Sequence, residues 1–288
     1  MISATLYNDP ACPWGYSANP PLRVLEWRYG DQLDWGLVLI GLTEHASQYE
    51  QRGYTPAMMA LGHLRFRRYG MPFAPAPKAR VSATARACRA VVAARVTDPG
   101  SEFAAFRALQ VANFTTGLVL DDDAQLRDAL DRAGFDGGRL VSMLDTPEVS
   151  EAYERDRARS RTAAGTPAEL QGKTATSDGP VRFTAPSVVF ELDGRQLMAG
   201  GFQPVEAYDV LIANLDPTLR RQPPPETPEP LLERFPGGLT TQEVAALMTE
   251  GNNAPDRVGA ERALIELVVD GRARREPLGD DALWTLAG

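Results

Sequence analysis

One stretch limits what this chain can fold into more than any other. From about residue 54 to 165 the pattern is helical, with no convincing strand. Ser101 can cap a helix over residues 103–113, and Asp121, Asp122 and Asp123 stand at the start of another that ends near Gly134. Thr146, Pro147 and Glu148 open a long polar helix over 148–164 through a cap, a first-position proline and an early acid. Strand-like runs lie on both sides of the stretch, so the chain reads as an α/β protein.

On the N-terminal side, residues 2–7 have strand character and residues 20–30 carry apolar side chains at helical spacing, with Gly30 as the stop. Residues 33–42 are apolar on both faces, which suits a central strand of a covered sheet. Strand, helix and strand in that order make a right-handed βαβ unit. Cys12 falls between the first strand and the helix, and Pro13 after it places it at a helix start. Unpaired N–H groups and the positive end of the dipole favour a thiolate there, the nucleophilic form of cysteine.

Composition sets the outer bounds. The chain has 288 residues, a net charge of −8 and 43% hydrophobic residues, as expected of a globular protein with one large domain or two. Its acidic balance argues against bulk nucleic-acid binding. Two cysteines rule out a disulfide framework and suit a reducing compartment. The first strand starts almost at Met1, leaving no room for a signal peptide, and no apolar run reaches membrane-spanning length, so the expected location is the cytoplasm. The two histidines and two cysteines show no metal-ligand spacing, and no Gly-rich phosphate loop is present.

Beyond the helical stretch, residues 182–198 hold two strand-like runs around Asp193-Gly194, a strong type I′ hairpin signal. Pro186 stands just ahead of the first run, where a central strand tolerates proline. Pro204 then starts a helix over 205–215.

Cys12-Pro13-Trp14-Gly15 after Asp9-Pro10, together with Thr184-Ala185-Pro186 ahead of a hairpin, resembles the DsbA-like thioredoxin superfamily, in particular its cytosolic FrnE-type branch. The resemblance covers residues 1–218. It implies a thioredoxin fold with a large all-helical insertion over about 54–165, and a cis Pro186 beside Cys12 as the catalytic pair. Pro13, Trp14, Gly15, Thr184 and Ala185 would contact substrate, with the Ala185 N–H and C=O offered to an extended segment. The family motif is usually C-P-W-C, and Gly15 stands here in place of the second cysteine. Residues 70–73 and 82–94 resemble the substrate-cleft segment of FrnE-like and kappa-class glutathione transferase proteins, which makes Arg80, Ser82 and Arg86 candidate ligand contacts.

That segment is also one-sided in charge. Between residues 55 and 95 stand Arg65, Arg67, Arg68, Lys78, Arg80, Arg86, Arg89 and Arg95, and no acid. They form either a positive wall over Cys12 that lowers its pKa and attracts an anionic co-substrate, or a solvated face balanced by acids elsewhere in space. Cys88 shares a helical face with Val81, Ala85 and Val92 and reads as a small buried hydrophobe. His45 reads as a solvated loop residue.

Residues 219–236 form a proline-rich linker, read as an extended, semi-rigid spacer. Residues 237–288 then read as helix, helix and hairpin, resembling a winged helix-turn-helix module, so that a small α+β winged-helix-like domain follows the thioredoxin domain. Nine acids against five arginines argue against a DNA role, and Glu261 and Glu266 on the second helix would repel phosphates. A protein-packing role, including a homodimer through this module, fits better.

Three functions follow from these residues. The leading one is thiol–disulfide exchange through Cys12 alone, with a small external thiol as resolver and no tightly bound cofactor. A kappa-class transferase-like or isomerase enzyme is the second, in which Cys12 only positions a bound thiol. The third is a non-catalytic thioredoxin-fold binding protein.

Overall fold

The computed structural model describes residues 1–74, 76–176 and 179–288. Strand β1 (Ile2–Asn8) leads through a tight loop into helices α1 (Pro13–Ser17) and α2 (Asn19–Tyr29), and the chain returns as β2 (Leu33–Leu39). Gly30 ends α2 at φ +52, a conformation an L side chain rarely adopts. Helices α3 (Ser47–Glu50), α4 (Pro56–Leu64), α5 (Ala85–Thr97), α6 (Glu102–Thr115), α7 (Asp123–Arg132), α8 (Gly137–Ser142), α9 (Pro147–Ser160) and α10 (Pro167–Leu170) follow. The short pair β3 (Thr174–Ala175) and β4 (Arg182–Phe183) precedes the hairpin β5 (Ser187–Leu192) and β6 (Arg195–Gly200), after which comes α11 (Val205–Leu215).

The main sheet has the order β2-β1-β5-β6, with β1 parallel to β2 and antiparallel to β5. Asp193 and Gly194 turn the hairpin with φ of 51° and 76°, the positive pair a type I′ turn requires. Strand β2 lies at an edge, not in the centre. Its apolar character has another cause: α9 and α5 cover that edge, with Asp156 accepting from Leu39 N at 3.1 Å and Arg95 donating to Leu37 O at 3.0 Å.

One face of the sheet carries the large core, in which Ile2, Ala4 and Leu6 pack against α2, α5 and α11. Helix α5 is buried nearly all round, and its run of Ala and Val lets neighbouring helices approach closely. Cys88 is fully buried there, as a small hydrophobe would be. The other face is covered by the chain after α9. That helix ends at Ser160 instead of running to 164, because the backbone turns so that Ala163 joins the cluster of Tyr7, Val38, Ile40, Phe183 and Val189 around Cys12.

The proline-rich segment is not a free spacer. Gln222 N donates to Arg28 O (2.8 Å), Trp27 Nε1 donates to Pro223 O (2.9 Å), and Arg220 N donates to Gln32 Oε1 (2.9 Å), which ties it along α2. Its end is helical, α12 (Glu229–Arg234), and buries Leu231 and Leu232. The C-terminal part continues with β7 (Leu239–Thr240), α13 (Thr241–Leu247), α14 (Arg257–Val269), β8 (Ala273–Leu278) and β9 (Asp281–Leu286). Its three strands pair in the order β7-β9-β8, and Trp284 of the central strand is fully buried.

A capping box, Thr240 with Glu243, starts α13. Glu243 is 0% exposed and also receives a two-pronged ion pair from Arg107 on α6, at 2.7 and 2.8 Å. This is a buried pair between the C-terminal part and the helical segment. Burial raises the Glu243 pKa, but Arg107 and the surrounding hydrogen bonds outweigh it and hold the carboxyl below its usual range.

Candidate active site

The site begins where β1 runs out. Asp9 is fully buried, and its carboxylate organises the loop by accepting from Ala11 N (2.9 Å), Leu42 N (2.9 Å), Thr84 Oγ1 (2.9 Å) and Cys88 Sγ (3.6 Å). Burial raises its pKa against the pull of those donors. Asp9 O in turn accepts from Cys12 N at 3.1 Å. The loop thus fixes Cys12 as the N-cap of α1, with Pro13 in the first helical position.

Cys12 Sγ donates to Ala185 O at 3.1 Å, and the Ala185–Pro186 peptide is cis. Two segments far apart in the chain therefore meet at the sulfur. Its protonation state, however, differs from the sequence expectation. Burial pushes the thiol up to about 12, Asp9 adds to the rise, and the Gly15 and Trp14 N–H groups and the Arg182 charge only partly oppose it. The reason is physical: α1 has five residues, so its dipole is short, while Cys12 is 7% exposed among apolar side chains. The resting form is a thiol. The Ala185 carbonyl, expected to face a substrate, is occupied by that thiol.

Gly15 is more than an absent cysteine. A Cβ there would lie 2.0 Å from Asn8 Oδ1, and Asn8 is buried with that oxygen accepting from Asp9 N at 2.9 Å. The Asn8 side chain thus occupies the space a second cysteine would need. Trp14 is 40% exposed and packs against Phe66, Tyr69 and Phe202, with ring centroids 4.9, 5.5 and 5.9 Å away. Pro13 beside it is half-buried. Thr184 donates through Oγ1 to Lys173 O (3.0 Å), and its own carbonyl accepts from Ser187 Oγ (2.7 Å), so it braces the turn into β5.

The basic run does not form a wall over the sulfur. Arg80 pairs with Asp121 (2.5 Å), Arg86 with Asp123 and Asp145 (2.5 and 3.3 Å), Arg89 with Asp145 (3.6 Å), Arg95 with Asp156 (3.1 Å) and Arg67 with Asp280 (2.7 Å). Lys78 turns inward to Leu118 O (2.6 Å) and Asn113. Acids distant in sequence balance Arg67, Arg80, Arg86, Arg89 and Arg95, and so Arg80 and Arg86 are committed to them. Ser82 is buried between these two arginines in the chain.

The cation in the field of Cys12 is instead Arg182, which also bonds Phe183 O (3.0 Å). Tyr49, on α3, lies within the electrostatic reach of both Asp9 and Cys12, and burial raises its phenol pKa. Sequence reasoning gave no role to Asn8, Asp9, Tyr49 or Arg182, although Asn8 and Asp9 stand just ahead of Cys12-Pro13-Trp14-Gly15 and Arg182 just ahead of Thr184-Ala185-Pro186. His45 is exposed on its loop. Among the described residues no three His, Cys, Asp or Glu side chains converge on one point.

A sheet with this strand order, and a thiol lodged against the turn into β5, is the mark of a thioredoxin-fold protein. The chain belongs to the DSBA-like thioredoxin domain family, whose model matches residues 5–184, and so to a family of DsbA-like thiol-disulfide oxidoreductases. No curated protein gives a significant match. Among solved structures, the cytosolic disulfide reductase DsbM from Pseudomonas aeruginosa is 20% identical with a TM-score of 0.53, over 74% of this chain and 98% of that one. Two provisionally named proteins are also similar. A protein disulfide isomerase of Nitrosomonas europaea is 18% identical (TM-score 0.57, 74% of this chain and 97% of that one). A DsbA oxidoreductase of Streptomyces coelicolor is 17% identical (TM-score 0.56, 76% and 91%). At these identities the likeness is one of fold. No helix among the described residues is long and apolar enough to cross a membrane.

Proposed function

We propose that the protein is a single-cysteine thiol–disulfide oxidoreductase of the FrnE-like branch, working in the cytoplasm with a small thiol as co-substrate. The observation that carries this reading is the 3.1 Å contact between Cys12 Sγ and the Ala185 carbonyl, which lodges the only cysteine of the motif against the strand a substrate would extend. An N–H or O–H beside the docking disulfide would donate to the Ala185 carbonyl and release the sulfur toward the N–H groups of Trp14 and Gly15. Cys12 then loses its proton to solvent, and the thiolate attacks one sulfur of the substrate. The substrate S–S bond breaks, a mixed disulfide forms on Cys12, and the other half leaves as a thiol. An external thiolate attacks the mixed disulfide, forming a new disulfide and returning Cys12. That new disulfide joins one substrate half to the small thiol; a second small thiolate attacks it, freeing that half as a thiol, so that the substrate disulfide ends reduced and two small thiols end as their own disulfide. That DsbM is a cytosolic disulfide reductase agrees with the direction and the compartment.

In this reading residues 1–218 form the catalytic domain, with about 54–165 as its helical insertion and 219–236 as the link to a winged-helix-like module at 237–288 that serves protein packing, including self-association. One observation favours a second reading, a binding protein that no longer turns over: the resting thiol is protonated and buried. A single experiment separates the two. Intact mass after prolonged incubation with oxidised small thiols is expected to show one adduct, absent from Cys12→Ser and released by reduced thiol. No adduct, or one retained in Cys12→Ser, overturns the catalytic reading.

A further inference from the structure

The C-terminal module reaches the rim of the site. Between α4 and α5 the chain makes a 3-10 turn, Arg65–Tyr69, that supplies Phe66 and Tyr69 to the ring cluster around Trp14. This segment, 65–73, is held from behind by the turn between β8 and β9. Asp280 accepts from Phe73 N through Oδ1 (2.8 Å) and from Arg67 Nε through Oδ2 (2.7 Å), so one carboxylate grips both ends of the segment. Gly279, at φ +57, allows the approach: a Cβ there would lie 2.9 Å from the Phe73 backbone. From the front, Tyr16 of α1 donates to Pro72 O at 2.8 Å, which joins the gripped segment directly to the helix that Cys12 caps. Trp14 is exposed and Tyr69 half-buried, and Arg68 stacks on Tyr69 without a carboxylate partner among the described residues.

We propose that Asp280 is a positioning residue: from the C-terminal module it holds the 65–73 segment against Trp14, shaping an aromatic subsite that selects disulfides with an apolar or aromatic side chain next to the sulfur. The selectivity part rests on the proposed thiol–disulfide chemistry; the positioning part does not. Asp280→Ala removes both acceptors, whereas Asp280→Asn keeps an oxygen for Phe73 N–H and loses the charge toward Arg67. Amide hydrogen exchange and Cys12 adduct formation are measured on the full chain. The two probes are hydroxyethyl disulfide and a cystine peptide with phenylalanine beside its cysteine.

Asp280→Ala is expected to speed exchange about tenfold in residues 65–73 and also in 13–17, the effect of losing one well-placed hydrogen bond to a charged group. It is also expected to lower the peptide-to-small rate ratio about fivefold, the effect of one lost aromatic contact, with the small probe unchanged. Asp280→Asn should keep both nearer the parent. Faster exchange confined to residues 279–281 overturns the positioning, and an unchanged rate ratio overturns the subsite. If neither probe reacts even with the parent, the proposed chemistry fails, while exchange still decides the positioning. Should Asp280→Ala not fold, Arg67→Gln, which releases only the ion pair, is read the same way.

Discussion

Replacing Gly15 with cysteine should not rebuild a working C-P-W-C motif, and the structure says by how much it fails. The new Cβ would meet Asn8 Oδ1 at 2.0 Å, Cγ at 2.9 Å and Nδ2 at 3.0 Å. Asn8 is 1% exposed and cannot swing into water. Displacing its side chain costs about 1–3 kcal/mol as overpacking and leaves the Asp9 N–H without its acceptor, about 1–3 kcal/mol more. Replacing a helical glycine with cysteine, itself a poor helix former, returns only about 0.3 kcal/mol. Gly15→Cys is therefore expected to lose about 2–6 kcal/mol. Asn8→Ala alone should lose about 1–3 kcal/mol through the same orphaned N–H. In that background Gly15→Cys meets no obstruction and should be neutral or stabilising. Urea unfolding of the four proteins under reductant closes the cycle, with a favourable coupling of about 2–6 kcal/mol. Additivity within about 0.5 kcal/mol would refute the reasoning.

Other outcomes follow from the same coordinates. With its pKa near 12, Cys12 holds about three thousandfold less thiolate than free cysteine at about pH 7.5, partly offset by the greater nucleophilicity of a more basic sulfur. Alkylation should run about a hundredfold slower than for free cysteine and keep accelerating through about pH 9.5; a plateau near pH 8.5 would contradict this. The raised native pKa also makes the Cys12 contribution to stability fully present below about pH 8.5, and lost above it because only the unfolded chain releases the proton. The stability difference between parent and Cys12→Ala should be flat near neutrality and fall by up to about 1.4 kcal/mol per pH unit above that, with a rise counting against it. Arg107→Met strands Glu243 in the interior and should cost about 3–5 kcal/mol, much of it recovered on adding Glu243→Met. Urea midpoints decide this, and a loss below about 1 kcal/mol would show the pair to be solvated.

Local signals carried much of the fold. Gly30 stops α2, Pro147 starts α9, Thr240 and Glu243 box α13, and Asp193-Gly194 turns the hairpin, each through chemistry confined to a few neighbouring residues. What the sequence hid depends on partners far along the chain. Nothing near Arg86 announces Asp123 and Asp145, and nothing in residues 33–42 says that α9 will cover their edge. The site divided along the same line. Cys12 and Pro186 stood out as residue types in a motif, whereas the thiol state of Cys12 follows from how Tyr7, Phe183 and Val189 close around it. Asn8 stands beside the motif, but its role was not legible, because it fills a space and occupied volume leaves no trace in a motif.

The Arg107–Glu243 pair has a consequence for anyone who would divide the chain at its prolines. Severed there, the first part would bare a lone guanidinium where its counter-ion had been, and wet the side of α2 on which Val24 meets Leu231 and Phe235. Such a fragment would be a different molecule, prone to stick to its own kind, and its redox behaviour would not stand in for that of the intact protein.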